Sequence, residues 1–141
     1  MPIFGEIFKK CLFDTIYTYS AENHLFSHCQ SGFKKGDFCI SQLLFITHNI
    51  LTGFDASPSL DTRGVFLGTS KAFDRVCHDG LIFKLKSYGI SGSLLSSLQS
   101  FLSERSQRVA IDGQISEWVG MSAGVPQGSI LGPLFFLIYI R

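Results

Sequence analysis

The chain has 141 residues, of which 45% are hydrophobic and 16% charged, and its formal net charge is +1. This length supports one ordinary domain with a core, and the composition excludes a largely disordered protein. Because the net charge is nearly zero, any nucleic-acid contact has to come from local clusters of Lys and Arg. Fourteen phenylalanines predict apolar surface that meets something outside the chain.

Compartment and membrane association follow from simple features of the chain. The four cysteines form no Cys-x-x-Cys pair, and the charged residues Glu6, Lys9 and Lys10 interrupt any secretory signal. The apolar run 130–140 is shorter than the ~18 residues that span a bilayer. We expect a protein of the cytoplasm or nucleus, with reduced thiols and no membrane anchor.

The N-terminal third predicts two helices. Residues 3–19 carry apolar side chains at fourfold spacing, with Phe4, Phe8 and Leu12 on one stripe. After a polar turn, Asp37 is a suitable N-cap for a second helix, and Gly53 is a suitable end for it. Residues 52–62 then predict a loop.

The rest of the chain alternates strands and helices. Residues 65–67 predict a short buried strand. Gly89 is expected to end one helix and Ser91 to begin the next. The dipeptide Asp112-Gly113 predicts a tight hairpin turn between two strands. Gly132 followed by Pro133 predicts an N-cap and first helical residue, from which a buried helix runs over 134–140.

Two segments carry a specific resemblance. Residues 123–134 read Ala-Gly-Val-Pro-Gln-Gly-Ser-Ile-Leu-Gly-Pro-Leu, and residues 66–74 read Phe-Leu-Gly-Thr-Ser-Lys-Ala-Phe-Asp. Together they resemble the palm of a reverse transcriptase of the non-LTR retrotransposon (LINE-like) type. The resemblance implies an α+β fold with partial fingers and palm of a right-hand polymerase, helices packed on a small antiparallel sheet, and no thumb. Residues 1–62 would be fingers-like and 63–141 palm-like.

One position departs from that family. Its members have Asp at the third position of the segment that begins at Phe66, and this Asp and a later Asp-Asp pair hold two divalent cations for phosphoryl transfer. This chain has Gly68 there and reaches Arg141 without an Asp-Asp pair. We therefore expect a catalytically inactive fragment without a cofactor. The intact family uses Mg²⁺ or Mn²⁺, an RNA template, a DNA primer and deoxynucleotides.

The resemblance also implies nucleotide-contacting residues. Phe73 would exclude a 2′-hydroxyl as a steric gate, although a core Phe is the simpler interpretation of the residue alone. Gln127 and Gly128 would approach the incoming nucleotide, since glycine allows a ligand close to the main chain. Lys34, in the segment Gln-Ser-Gly-Phe-Lys over 30–34, would lie near phosphates, or else belong to a solvated turn.

Two weaker candidates concern metals. Asp74 could replace the missing carboxylate, but it lies six positions beyond Gly68, and helix capping suits it better. His24, His28 and Cys29 have no fourth ligand at zinc-finger spacing, so we interpret them as turn residues.

Two alternatives to a polymerase fragment stay open. A non-catalytic module could bind an RNA/DNA duplex electrostatically. Its basic residues would be Lys34, Lys35, Lys71, Arg105 and Arg108. A structural protein could instead pair an exposed sheet edge with a partner, or self-associate through exposed apolar surface.

Overall fold

The structure is a computed structural model that describes residues 3–103 and 105–141. The helices are α1 (Ile3–Glu22), α2 (Cys39–Asp55), α3 (His78–Ser87), α4 (Gly92–Leu102) and α5 (Leu131–Tyr139), with a short 3-10 helix at Phe73–Arg75. The strands are β1 (Arg105–Gln107), β2 (Ala110–Ile111), β3 (Gln114–Ile115) and β4 (Val119–Met121). This arrangement confirms the predicted α+β class.

Two compact units divide the chain. The larger unit joins the described part of Met1–Phe26 to Lys71–Arg141, and the smaller unit is Ser27–Ser70. The assignment of 1–62 to fingers and 63–141 to palm stays a prediction.

The core of the larger unit surrounds α5. This helix contacts α1 and α3, and α3 also contacts α4. Leu131, Leu134, Phe135 and Ile138 recur at three- and four-residue spacing on α5 and are completely buried. Burial of each such side chain contributes about 1.5–3 kcal/mol relative to exposure, before cavity terms. The apolar run that ends the chain is therefore the central helix of this unit.

The first predicted helix is confirmed, but only its second half joins the core. Ile16 and Tyr17 are buried, whereas Phe4 and Phe8 are 84% and 56% exposed. Among the residues that the structure describes, nothing covers the first half of the predicted stripe.

The strands form a long hairpin in two antiparallel pairs. β1 pairs with β4, and β2 pairs with β3 at its tip. Asp112 and Gly113 both have positive φ, 50° and 78°, as a type I′ turn requires. The predicted hairpin turn is confirmed.

The second helix differs from the prediction at both ends. It begins at Cys39 with Phe38 as the N-cap residue, because the carboxylate of Asp37 already accepts hydrogen bonds from the Ser31 hydroxyl and the Phe38 N–H. At the other end the helix continues past Gly53 to Asp55. The predictions of Asp37 as N-cap and Gly53 as terminator were wrong by one turn or less.

The predicted buried strand at 65–67 is wrong. These residues have no regular structure, and their side chains are between 81% and 91% exposed. Three apolar residues are too few to specify a strand without a neighbouring strand to pair with. Within the same unit, α2 buries none of its residues.

The start of α5 also differs from the prediction. The helix begins at Leu131, so Gly132 is its second residue and Pro133 its third. Pro133 fits because the first N–H groups of a helix need no partner within it. The Ser129 hydroxyl accepts the Gly132 N–H at 3.0 Å and so satisfies one of them.

Gly132 is explained by a close approach instead of by capping. A Cβ atom added there would lie 2.7 Å from the carbonyl oxygen of Pro126.

Across the described ranges, no helix is both long enough and apolar enough to cross a membrane.

Candidate functional site

The end of the first resemblance segment, from Lys71 onward, meets the second segment in the larger unit. The Gly124 N–H donates to the Val76 carbonyl at 2.8 Å, and the Val125 N–H donates to the Phe73 carbonyl at 3.0 Å. A single antiparallel bridge between Cys77 and Ala123 continues this pairing. We call this pairing of residues 73–77 with 123–125 the junction.

Gly124 allows the junction to close. Its φ is +90°, and an added Cβ would lie 3.0 Å from both the Cα and the carbonyl oxygen of Asp74. A side chain here would be strained by the backbone conformation and would also meet main-chain atoms that cannot rotate away. Glycine at this position therefore sets the distance between the two segments.

A polar cavity of about 550 Å³ opens beside the junction. Its lining includes Lys71, Asp74, Arg105, Gln107, Pro126 and Gln127. A second cavity of about 250 Å³ is also lined by Gln127, together with Lys9, Phe101, Arg105 and Gly128. Arg105 and Gln127 line both cavities, so a ligand in either one meets a cation and an amide.

Phe73 is held in place by packing. It is half-buried, and its ring stacks on Phe136 of α5 with centroids 4.4 Å apart and planes 19° apart. Its main-chain carbonyl takes part in the junction. The stacking on α5 agrees with the core interpretation of Phe73. The gate role stays a prediction, and a ring held by α5 on one side is compatible with it.

Gln127 and Asp74 are brought together. Gln127 Nε2 donates to Asp74 Oδ1 at 3.1 Å, between residues 53 apart in sequence. Asp74 lies within the 3-10 helix, whose N-cap residue is Ala72. The capping role predicted for Asp74 was therefore wrong, because its carboxylate is engaged by the opposite segment.

Gly128 follows Gln127 with φ +77°, and an added Cβ would meet nothing within 4 Å. The glycine is needed for backbone conformation, while the space beside it is open. Gly128 lines the smaller cavity, and an unobstructed main chain there is what close approach of a ligand requires.

One contact at the junction was missed from the sequence. A ring nitrogen of His78, Nε2, lies 2.7 Å from the Gly124 carbonyl oxygen. His78 is the first residue of α3, immediately after the N-cap residue Cys77. It ties the start of α3 to the junction.

Lys34 lies in the smaller unit, in a turn held by its own hydrogen bonds. Gln30 Nε2 donates to the Gly32 carbonyl at 3.1 Å, and the Asp37 N–H donates to the Lys34 carbonyl at 3.3 Å. Lys34 itself is half-buried. The turn interpretation describes its local structure, and its proximity to phosphates stays a prediction.

Gly68 also lies in the smaller unit, in a segment without regular structure. An added Cβ would meet nothing within 4 Å, and φ is outside the left-handed region. Neither packing nor backbone conformation therefore demands glycine at this position.

The donor set does not fit a pair of catalytic cations. Gly68 offers no side chain, and the carboxylate of Asp74 is hydrogen-bonded to Gln127. Within residues 3–103 and 105–141, no three His, Cys, Asp or Glu side chains come together as a metal site, and this includes His24, His28 and Cys29.

The chain is thus an α+β domain in which a helical core carries a β-hairpin, and a glycine-closed junction lies beside a polar cavity of the size typical of small-molecule sites. Residues 6–141 match the family described as reverse transcriptase (RNA-dependent DNA polymerase). The chain belongs to this family. No solved protein structure matches it significantly.

Several mobile-element proteins are similar to this chain. The probable RNA-directed DNA polymerase from transposon X-element of Drosophila melanogaster is 32% identical over 139 residues, covering 99% of this chain and 15% of that protein. The corresponding protein from transposon BS of the same fly is 32% identical over 141 residues, covering 96% and 15%. The RNA-directed DNA polymerase from mobile element jockey, also of D. melanogaster, is 31% identical over 139 residues, covering 99% and 15%.

These relatives confirm the resemblance to the non-LTR retrotransposon type. The chain spans about 15% of the length of each relative. It is thus similar to one segment of a retrotransposon reverse transcriptase.

Proposed function

We propose that this chain forms part of the fingers, over 1–62, and of the palm, over 63–141, of an intracellular reverse transcriptase. The activity of the whole protein would be RNA-templated DNA synthesis, using an RNA template, a DNA primer and deoxynucleotides. The junction beside the 550 Å³ cavity carries this proposal, because it brings Phe73 and Gln127 from distant segments to one site.

Each nucleotide-contacting role has a local support. Phe73 would act as the steric gate, since stacking on Phe136 fixes the position of its ring. Gln127 and Gly128 would approach the nucleotide from the loop, where the main chain of Gly128 is unobstructed. Lys34 would contact phosphates from the smaller unit. Its ammonium offers charge without the bidentate geometry of Arg.

Catalysis by this chain itself is not part of the proposal. Mg²⁺ or Mn²⁺ would serve the intact family, and Gly68 removes one of the carboxylates that such ions require. If one metal contributes ~4 kcal/mol of transition-state stabilisation, its loss costs about a thousandfold in rate. Primer extension on an RNA template with either ion should therefore give no product, and incorporation would contradict the role assigned to Gly68.

Nucleotide selection tests the gate directly. We expect isothermal titration to show that the 141-residue chain binds dGTP more tightly than GTP, and that Phe73→Ala removes this difference. Phe83→Ala is the matched control, because Phe83 is 72% exposed on α3 and takes no part in the junction. Equal affinity for the two nucleotides in the unaltered chain would overturn the gate role.

A non-catalytic nucleic-acid-binding role is the second candidate. Lys71 and Arg105 line the larger cavity, and in the described ranges neither forms an ion pair. Arg108 lies over the ring of Trp118, 4.6 Å from its centroid, on the exposed hairpin. Binding of an RNA/DNA duplex that weakens steeply with salt, without any preference between dGTP and GTP, would favour this candidate over the first.

A further inference from the structure

The contact between Asp74 and Gln127 joins two functional groups of different hydrogen-bonding capacity. An ionised carboxylate only accepts hydrogen bonds, whereas a carboxamide has a donating NH₂ and an accepting oxygen. Facing Asp74, the Gln127 amide must therefore turn its NH₂ toward the carboxylate. The distance of 3.1 Å from Nε2 to Oδ1 fits this arrangement.

The junction holds the two side chains within reach of each other. Two main-chain hydrogen bonds fix the segment of Asp74 against the segment that leads to Gln127. The close approach of Gly124 to the Asp74 main chain leaves little freedom for sliding. Both side chains line the 550 Å³ cavity, so the orientation of the amide decides which of its groups a ligand there can use.

We propose that Asp74 is a positioning residue that fixes the orientation of the Gln127 carboxamide. Gln127 Oε1 is then the group available to a ligand in the cavity, and the site selects a ligand that presents an O–H or N–H donor at that point. The ligand class, a deoxynucleoside triphosphate, rests on the proposed function. The orientation of the amide does not.

Electrostatics and positioning predict opposite effects of one substitution on the affinity for a triphosphate. Asp74→Asn keeps the size of the side chain and removes a negative charge from a cavity that Lys71 and Arg105 also line. By charge alone, an anionic triphosphate should bind more tightly to this variant. If Asp74 acts by orientation, binding should weaken, since Asn can donate to Gln127 Oε1 as well as accept from its Nε2 and so no longer holds the amide in one orientation.

Measurement of dGTP affinity decides between these two expectations. We expect Asp74→Asn to weaken dGTP binding about fivefold. The substitution replaces the charge-assisted hydrogen bond that holds the Gln127 amide with a neutral one, and about fivefold corresponds to the difference in strength between the two. Asp112→Asn, in the exposed hairpin turn, makes the same chemical change away from both cavities and should leave the affinity unaltered. Unchanged or tighter binding by Asp74→Asn would overturn the positioning role.

A double variant tests the orientation without any nucleotide. Gln127→Glu places a carboxylate where Nε2 donates to Asp74, and should lower the melting temperature. Adding Asp74→Asn restores a hydrogen bond of reversed polarity, because Asn can donate to the new carboxylate, so the melting temperature should return to near that of the unaltered chain. Additive effects of the two substitutions would overturn the proposal.

Amide NMR of the unaltered chain gives a further readout. The side-chain NH₂ signals of Gln127, identified by their loss in Gln127→Glu, should shift in Asp74→Asn and stay in place in Asp112→Asn. If dGTP fails to bind while the melting and NMR results hold, the proposed function fails and the orientation stands. Unshifted signals in Asp74→Asn would refute the orientation itself.

Discussion

Replacement of Gly124 by Ala tests whether the junction is built on a close main-chain approach. Two costs add at this position. A side chain at φ +90° is strained by about 1–2 kcal/mol. A Cβ 3.0 Å from two main-chain atoms of Asp74 adds about 1–3 kcal/mol, since backbone cannot rotate aside. We expect Gly124→Ala to lower the free energy of unfolding by about 3 kcal/mol.

Other glycines of the chain separate these two costs. Gly113 has φ +78° with nothing within 4 Å of an added Cβ, so Gly113→Ala should lose only about 1–2 kcal/mol. Gly132 has no positive φ but would place a Cβ 2.7 Å from the Pro126 carbonyl oxygen, so Gly132→Ala isolates the steric cost. Gly120 has neither feature, and Gly120→Ala should change stability by less than ~1 kcal/mol.

Urea unfolding followed by far-ultraviolet circular dichroism measures all four variants. The midpoint should fall in the order Gly120→Ala, Gly113→Ala, Gly124→Ala, with an unchanged slope against urea concentration, and the midpoint of Gly132→Ala should lie below that of Gly120→Ala. If Gly124→Ala loses no more than Gly113→Ala, the contact with Asp74 contributes nothing and the account of the junction is refuted.

Three further predictions concern other parts of the chain. Gly68→Asp should change the free energy of unfolding, measured with urea, by less than ~0.5 kcal/mol, because nothing lies within 4 Å of an added Cβ. Lys84→Met should lose about 1–2 kcal/mol in the same assay, since Lys84 Nζ donates to the last carbonyls of the α5 region, and Lys86→Met should lose little. Phe4→Ser combined with Phe8→Ser should reduce concentration-dependent sedimentation, because these side chains form exposed apolar surface.

Local chemistry made much of the larger unit predictable. Ser91 and Gly89 marked helix boundaries because their preferences arise within a few residues. The Asp112-Gly113 turn followed from the positive φ that a two-residue hairpin needs. None of these inferences required knowledge of distant partners.

The misses share a different cause. Asp37 failed as an N-cap because Ser31 and Phe38 engage its carboxylate, and Asp74 failed as a cap because Gln127, 53 residues away, donates to it. A carboxylate has several possible donors, and the sequence does not say which one folding brings close. The strand expected at 65–67 failed in the same way, since a strand needs a partner that the segment itself does not specify.

Family membership and the proposed loss of a metal ligand at Gly68 are physically compatible, because they rest on different parts of the chain. Residues 123–134 form the segment whose resemblance to the family is most specific. Within it, Gly124 and Gly132 each make a main-chain approach that a side chain would obstruct, and Leu131 and Leu134 on α5 are wholly buried. These positions are constrained by folding whether or not catalysis takes place. An added Cβ at residue 68 would meet nothing within 4 Å, so Gly in place of the Asp that the resemblance implies would remove a proposed metal ligand while leaving the fold, and the sequence pattern that folding demands, intact.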